Sequence, residues 1–169
     1  PDYGYFGYLK KMILTLHNIK MIKSRRMPFH GAMFNLSIRD KRDFSVLIMG
    51  DTGAGKSETL EALRSIGSDD LQEITIIADD MGSLELLPDG CIAGYGTETG
   101  AFVRLDDLQP GFAFGQIDRT IIMSPAQTNA RVVLPVTTYQ TIMKGFMPNL
   151  ILYANNYDEV DEDHPIIER

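Results

Sequence analysis

The chain has 169 residues, 44% of them hydrophobic and 23% charged, and a formal net charge of −7. That is enough chain for one domain with a real core and an ordinary globular composition, and the acidic balance argues against nonspecific nucleic-acid binding. No apolar run is long enough to span a bilayer and no secretory cleavage signature is seen, while a single cysteine, Cys91, excludes an internal disulfide and fits a reducing cytosol.

Charge is uneven along the chain. Lys10, Lys11, Lys20, Lys23, Arg25 and Arg26 make the start basic, and Asp158, Glu159, Asp161, Glu162 and Asp163 make the end acidic. The plain interpretation is two solvated segments; the sharper one is a basic arm lining an anionic-ligand cleft. The chain begins at Pro1 and stops after Ile166-Ile167-Glu168-Arg169, which suggests a piece of a longer protein.

In chain order, residues 8–23 mix apolar and basic side chains as a helix would, and Pro28 is expected to end it. Ala32 to Ile38 suits a strand, followed by a polar turn over 39–43. Phe44-Ser45-Val46-Leu47-Ile48-Met49 has the apolar run of a buried strand. A glycine-rich loop follows, and Ser57 to Ile66 is a predicted helix with Leu60, Leu63 and Ile66 on one face and Gly67 as its stop. Ile74 to Ala78 is a second buried strand. Two apolar strands flanking a helix make a βαβ unit, so these strands should be parallel. Leu84 to Leu87, Pro88-Asp89-Gly90 and Cys91 to Ala93 have the pattern of a hairpin. Residues 101–105, 120–123, 131–136 and 150–154 are further strand candidates, and 139–144 a short helix. The second half is strand-rich, so the sheet should be mixed.

The loop Gly50-Asp51-Thr52-Gly53-Ala54-Gly55-Lys56-Ser57 satisfies G-x-x-x-x-G-K-[ST]. Glycines let the backbone curl so that successive N–H groups face phosphate oxygens, and the following helix N-terminus favours anions. Lys56 would neutralise the β- and γ-phosphates, and Ser57 would offer its hydroxyl to a metal. Asp79-Asp80 follows the second buried strand, at the carboxyl edge beside the phosphate loop. One carboxylate there can hold Mg²⁺ and the other can take a proton from an attacking hydroxyl. His30, in Pro28-Phe29-His30-Gly31, is a weak signal alone. Near Asp79 it could orient the carboxylate, share its proton or ligate a metal.

Together, His30-Gly31, the loop from Gly50 through Lys56-Ser57-Glu58-Thr59, and Ala78-Asp79-Asp80 resemble the catalytic core of HPr kinase/phosphorylase. The resemblance covers about residues 28–82. That family is similar in its nucleotide-binding fold to phosphoenolpyruvate carboxykinase. The later segments Ala130-Arg131-Val132-Val133-Leu134-Pro135-Val136 and Tyr153-Ala154-Asn155-Asn156-Tyr157 resemble a divergent bacterial group allied to the carboxykinases. The glycine-rich signature expected after an HPr kinase core is not recognisable, and the usual carboxykinase substrate motifs are not evident. The resemblance implies an α/β fold: a P-loop-containing mixed β-sheet with flanking helices. It implies ATP or GTP with Mg²⁺ or Mn²⁺, held by Ser57, Asp79 and Asp80, with His30 acting near the acceptor.

The expected organisation is one nucleotide-binding domain over 1–169: a basic lead-in (1–27), a P-loop core (28–82) and a strand-rich half (83–169). The expected ligands are a nucleotide and a small carboxylate, with a phosphocarrier protein as the alternative acceptor and neither nucleic acid nor membrane as partner. Lys56, His30, Asp79 and Arg131 are the expected catalytic residues. Arg104 and Arg131 each suit either a phosphate or carboxylate clamp or a strand surface. Glu98 could complete a metal shell, although a loop carboxylate is more often solvated. Phe102, Phe112 and Phe114 suit the core, and Asp106-Asp107 a turn. The first functional expectation is metal-dependent phosphoryl transfer of the phosphoenolpyruvate carboxykinase type, the second an HPr kinase-like protein serine kinase, and the third a nucleotide-binding module without turnover.

Overall fold

The computed structural model describes residues 6–50, 53–56, 59, 62–63, 70–104, 121–123 and 131–155. The elements are α1 (Phe6–Lys23), β1 (Arg26–Ile38), β2 (Phe44–Gly50), β3 (Leu71–Ala78), β4 (Met81–Leu86), β5 (Ile92–Gly96), β6 (Gly100–Arg104), β7 (Ile121–Met123), β8 (Arg131–Pro135), α2 (Tyr139–Lys144) and β9 (Leu150–Ala154). This is a mixed α/β arrangement, mostly antiparallel, with few helices.

β1 organises the larger sheet. Along one edge it pairs antiparallel with β2, Gly31 opposite Met49 through Leu36 opposite Phe44. Along the other edge its first half pairs with β4 and its second half with β3, both antiparallel. β9 adds to β2 in parallel, and β5 adds to β4 as the expected hairpin. β2 and β3 therefore run in the same direction, as the βαβ argument required, but they are not neighbours. β1 lies between them, because its 13 residues carry enough apolar side chains to be buried on both faces. A separate three-stranded sheet has the order β6-β8-β7.

Alternation along the strands builds two cores. Phe29, Met33, Leu47, Ile77 and Leu84 pack on one face with Met49 and Phe146 against them. Phe34, Val46, Ile48 and Ile76 pack on the other, joined by Leu63, Val136 and Ala154. Lys56, Thr59, Ala62 and Leu63 have helical backbone, so the described part of the segment after the glycine loop is helical and covers this second face.

Pro28 does not end a helix. α1 stops at Lys23, Arg25 turns the chain with φ 61°, and Pro28 lies inside β1 opposite Ser83. The strand tolerates it because β2 pairs only from Gly31 onward, so one side of Pro28 needs no ladder donor. α1 turns a mixed polar and apolar row inward. Gly7, Lys10, Leu14, His17, Asn18 and Met21 form its more buried row, while Met12, Leu16 and Ile22 stay exposed. No helix among the described residues is long and apolar enough to cross a membrane.

α2 shows how local chemistry sets an element's start. Thr138 is extended at the N-cap and its hydroxyl accepts the Thr141 N–H at 3.2 Å. Thr138→Ala should lower stability by about 1 kcal/mol, read as a fall in the urea midpoint with unchanged slope; an unmoved midpoint would show the cap to be inert.

Candidate functional site

Strand pairing brings four segments together across the sheet. Gly50 closes β2, and its predecessor Met49 pairs with Gly31. The Gly31 N–H donates to the Asp80 carbonyl at 2.9 Å. The Thr97 hydroxyl, just past β5, donates to the Met81 carbonyl at 2.9 Å. The glycine loop, His30, the Asp pair and the β5–β6 turn thus lie side by side.

Close packing accounts for Gly31, and backbone conformation for Gly53 and Gly55. A Cβ on Gly31 would stand 2.3 Å from the Ile48 carbonyl oxygen, inside any contact distance. Gly53 and Gly55 have φ of 81° and 82°, a conformation side chains disfavour. That backbone carries the chain from β2 into the helical segment. Lys56 is 8% exposed, and its ammonium donates to the Gly50 carbonyl at 2.9 Å, folded back over its own loop. Asp51, Thr52, Ser57 and Glu58 lie outside the described residues. Ala54 is part of the turn, and Thr59 donates its backbone N–H to the Gly55 carbonyl at 2.9 Å and its hydroxyl at 2.7 Å.

Asp80 is the hub of the polar contacts. Its Oδ1 lies 3.0 Å from His30 Nε2, and its Oδ2 lies 3.3 Å from Lys10 Nζ. Sequence reasoning placed His30 near Asp79; its Nε2 lies against the neighbouring carboxylate, Asp80. Asp79 sits beside Asp80 in the bend between β3 and β4, half-buried. Lys10 also lies 3.2 Å from Glu98 Oε2 and over the Phe102 ring at 5.1 Å. Arg131 lies over the same ring at 5.5 Å, on β8 opposite Arg104. Its Nε is buried without a hydrogen-bond partner among the described residues. Arg131 thus meets the cluster through Phe102. β6 carries Arg104 at its last position, and the structure describes nothing of that side chain.

Sequence reasoning missed Lys10 as an individual residue and undervalued Glu98. The basic start of the chain was the only available signal for Lys10, and it does not single out one lysine among six. Glu98 is 19% exposed at the side chain, not the solvated loop carboxylate its Gly-Thr surroundings suggest. Burial raises its pKa above the ordinary 4.5; Lys10 opposes that shift, and Asp80 and Asp79 add to it.

The sign of the consequence is definite. A carboxyl whose folded pKa exceeds its unfolded one binds more protons when folded, so its contribution to stability is full below the ordinary value and falls as pH rises through the raised one. Glu98→Gln should therefore flatten the decline in stability as pH rises from about 4.5. Urea midpoints of both proteins across that range test it, and parallel curves would reject it.

Among the described residues, no three His, Cys, Asp or Glu side chains converge as a ready metal cage. The donors present, an Asp oxygen and an imidazole nitrogen, suit instead a divalent ion arriving on a polyphosphate, which needs only one or two protein carboxylates. Beyond Lys10 and Glu98 opens a cavity of about 470 Å³, lined by His17, Thr97, Thr99, Phe102 and the α2 residues Tyr139 and Ile142. It is large enough for a small organic molecule. No protein-family model and no curated protein matches the chain.

Proposed function

We propose that the protein binds ATP or GTP with Mg²⁺ or Mn²⁺ and transfers the terminal phosphoryl group as a phosphoenolpyruvate carboxykinase does. Oxaloacetate and the triphosphate would give phosphoenolpyruvate, the diphosphate and CO₂. One observation carries the reading: the His30–Asp80 pair lies one strand away from the glycine loop that ends in the buried Lys56. A phosphate-binding loop alone would imply only nucleotide binding. An imidazole and a carboxylate within a strand's width of it imply chemistry at the γ-phosphate.

In this reading Lys56 leaves the Gly50 carbonyl for the β- and γ-phosphates, exchanging a neutral acceptor for anionic ones. Asp80 and His30, with the Ser57 hydroxyl, would hold the metal; Asp79 would add charge to the shell or receive a proton from a hydroxyl acceptor. The metal, when bound, supplies Lewis-acid stabilisation of negative charge on phosphate and enolate oxygens. Arg131 suits the clamp role by its unpartnered buried Nε. A P-loop fold of the carboxykinase and HPr kinase kind, one nucleotide-binding domain over 1–169 and a cytoplasmic location belong to the same proposal.

The test is a coupled assay with phosphoenolpyruvate, CO₂, ADP and Mn²⁺, following oxaloacetate as it is reduced by malate dehydrogenase. Oxaloacetate formation is expected, and its absence would overturn the carboxykinase reading. Label passing instead from ATP to a serine of a phosphocarrier protein would mark an HPr kinase-like enzyme. Nucleotide binding with neither reaction would mark a regulatory module.

A further inference from the structure

Both Asp80 oxygens are already engaged, one by His30 and one by Lys10. A divalent ion settling on this carboxylate competes with the Lys10 ammonium for it and repels the ammonium by charge. Lysine has a flexible four-carbon stem with many rotamers, so a single shared ion pair does not hold it in place. Lys10 nevertheless is only 13% exposed at the side chain.

The second anchor is Glu98, at 3.2 Å. Its loop is fixed on both sides, by the Thr97 hydroxyl on the Met81 carbonyl and by the Val136 N–H on the Thr99 carbonyl at 3.0 Å. Phe102 adds an aromatic face to the same ammonium. Glu98 Oε1 is buried without a hydrogen-bond partner among the described residues. A carboxylate desolvated in that way costs stability, and the Lys10 ammonium on its other oxygen offsets part of that cost.

We propose that Glu98 is a positioning residue: it keeps the Lys10 ammonium beside Asp80 when a metal–nucleotide complex occupies the site. The proposal rests on the nucleotide reading of Asp80. Without Glu98, Lys10 would swing into solvent as the metal arrives, and the site would lose one positive charge facing the phosphates.

Amine acylation mapped by peptide mass spectrometry tests this, with exposed Lys11 as internal reference in every sample. In the wild type, Lys10 should react slowly relative to Lys11, with or without Mn²⁺ and ATP. In Glu98→Gln, relative labelling of Lys10 should rise on the order of tenfold, the factor expected for losing one charge-assisted hydrogen bond, and rise again on adding Mn²⁺ and ATP. Glu98→Asp, folded by circular dichroism, should recover part of the protection and serves if the Gln variant does not fold. Equal Lys10 labelling in wild type and Glu98→Gln, or no recovery with Asp, overturns the proposal. Calorimetric titration of the wild type with Mn²⁺ and ATP separates the two readings. If no binding is seen, the nucleotide reading fails and with it the role assigned to Glu98, whereas binding with unchanged Lys10 labelling sinks the Glu98 role alone.

Discussion

Replacing Lys56 with alanine should weaken ATP binding by about a hundredfold or more, because the charge-assisted bonds it would make to two phosphates are each worth about 1.5–3 kcal/mol. The expectation has a structural basis beyond the motif. Lys56 is 8% exposed and its ammonium is held on the Gly50 carbonyl, so little ordering entropy opposes its move to a phosphate. Loss of its charge-assisted bond to the Gly50 carbonyl should itself cost the free protein about 1.5–3 kcal/mol, so affinities are compared only on samples shown to be folded. Lys56→Arg keeps the charge but changes the shape, and should recover only part of the affinity. Calorimetric titration with MgATP on thermally matched proteins is the measurement. Unchanged affinity in Lys56→Ala would remove the nucleotide reading altogether.

Gly31→Val should be the most damaging single change to the sheet near the site. Even a Cβ there would lie 2.3 Å from the Ile48 carbonyl oxygen and 3.1 Å from the Met49 Cα, and those atoms are backbone. Relief requires β1 and β2 to separate where Gly31 also donates to the Asp80 carbonyl. The expected loss is about 3 kcal/mol, the upper part of the range for overpacking. For a chain of this length that is roughly a 10 °C fall in Tm. Because His30 is the adjacent residue, nucleotide-dependent chemistry should fall further than stability alone explains. Differential scanning calorimetry decides the first point, and a variant melting with the wild type would show that the strands have room to spare. Gly31→Ala should lie between the two.

Much of the fold was legible because apolar runs and turn residues act locally. The runs of β2 and β3, the β4–β5 hairpin around Pro88-Asp89-Gly90 and the helix at 139–144 follow from period, length and turn chemistry. Pro28 was misjudged as a helix stop, since its tolerance depends on which side of β1 has a partner at that point. Strand order was not legible for a related reason. Periodicity specifies that a strand is buried, not that a 13-residue strand will divide its two edges among three others.

The candidate site divides in the same way. The sequence by itself determined the glycine loop with Lys56, and the placing of Asp79-Asp80 after the second buried strand, because each is written as contiguous residues with a local physical reason; His30 lies inside β1 rather than ahead of it. Only the tertiary structure decided that His30 meets Asp80, that the Lys10 ammonium comes from α1 to bridge that carboxylate and Glu98, and that Arg131 reaches the cluster through Phe102. His30 and Lys10 are separated from Asp80 by 50 and 70 residues. Their meeting is fixed by β1 pairing with β4 and by the inward row of α1, and no local pattern encodes either.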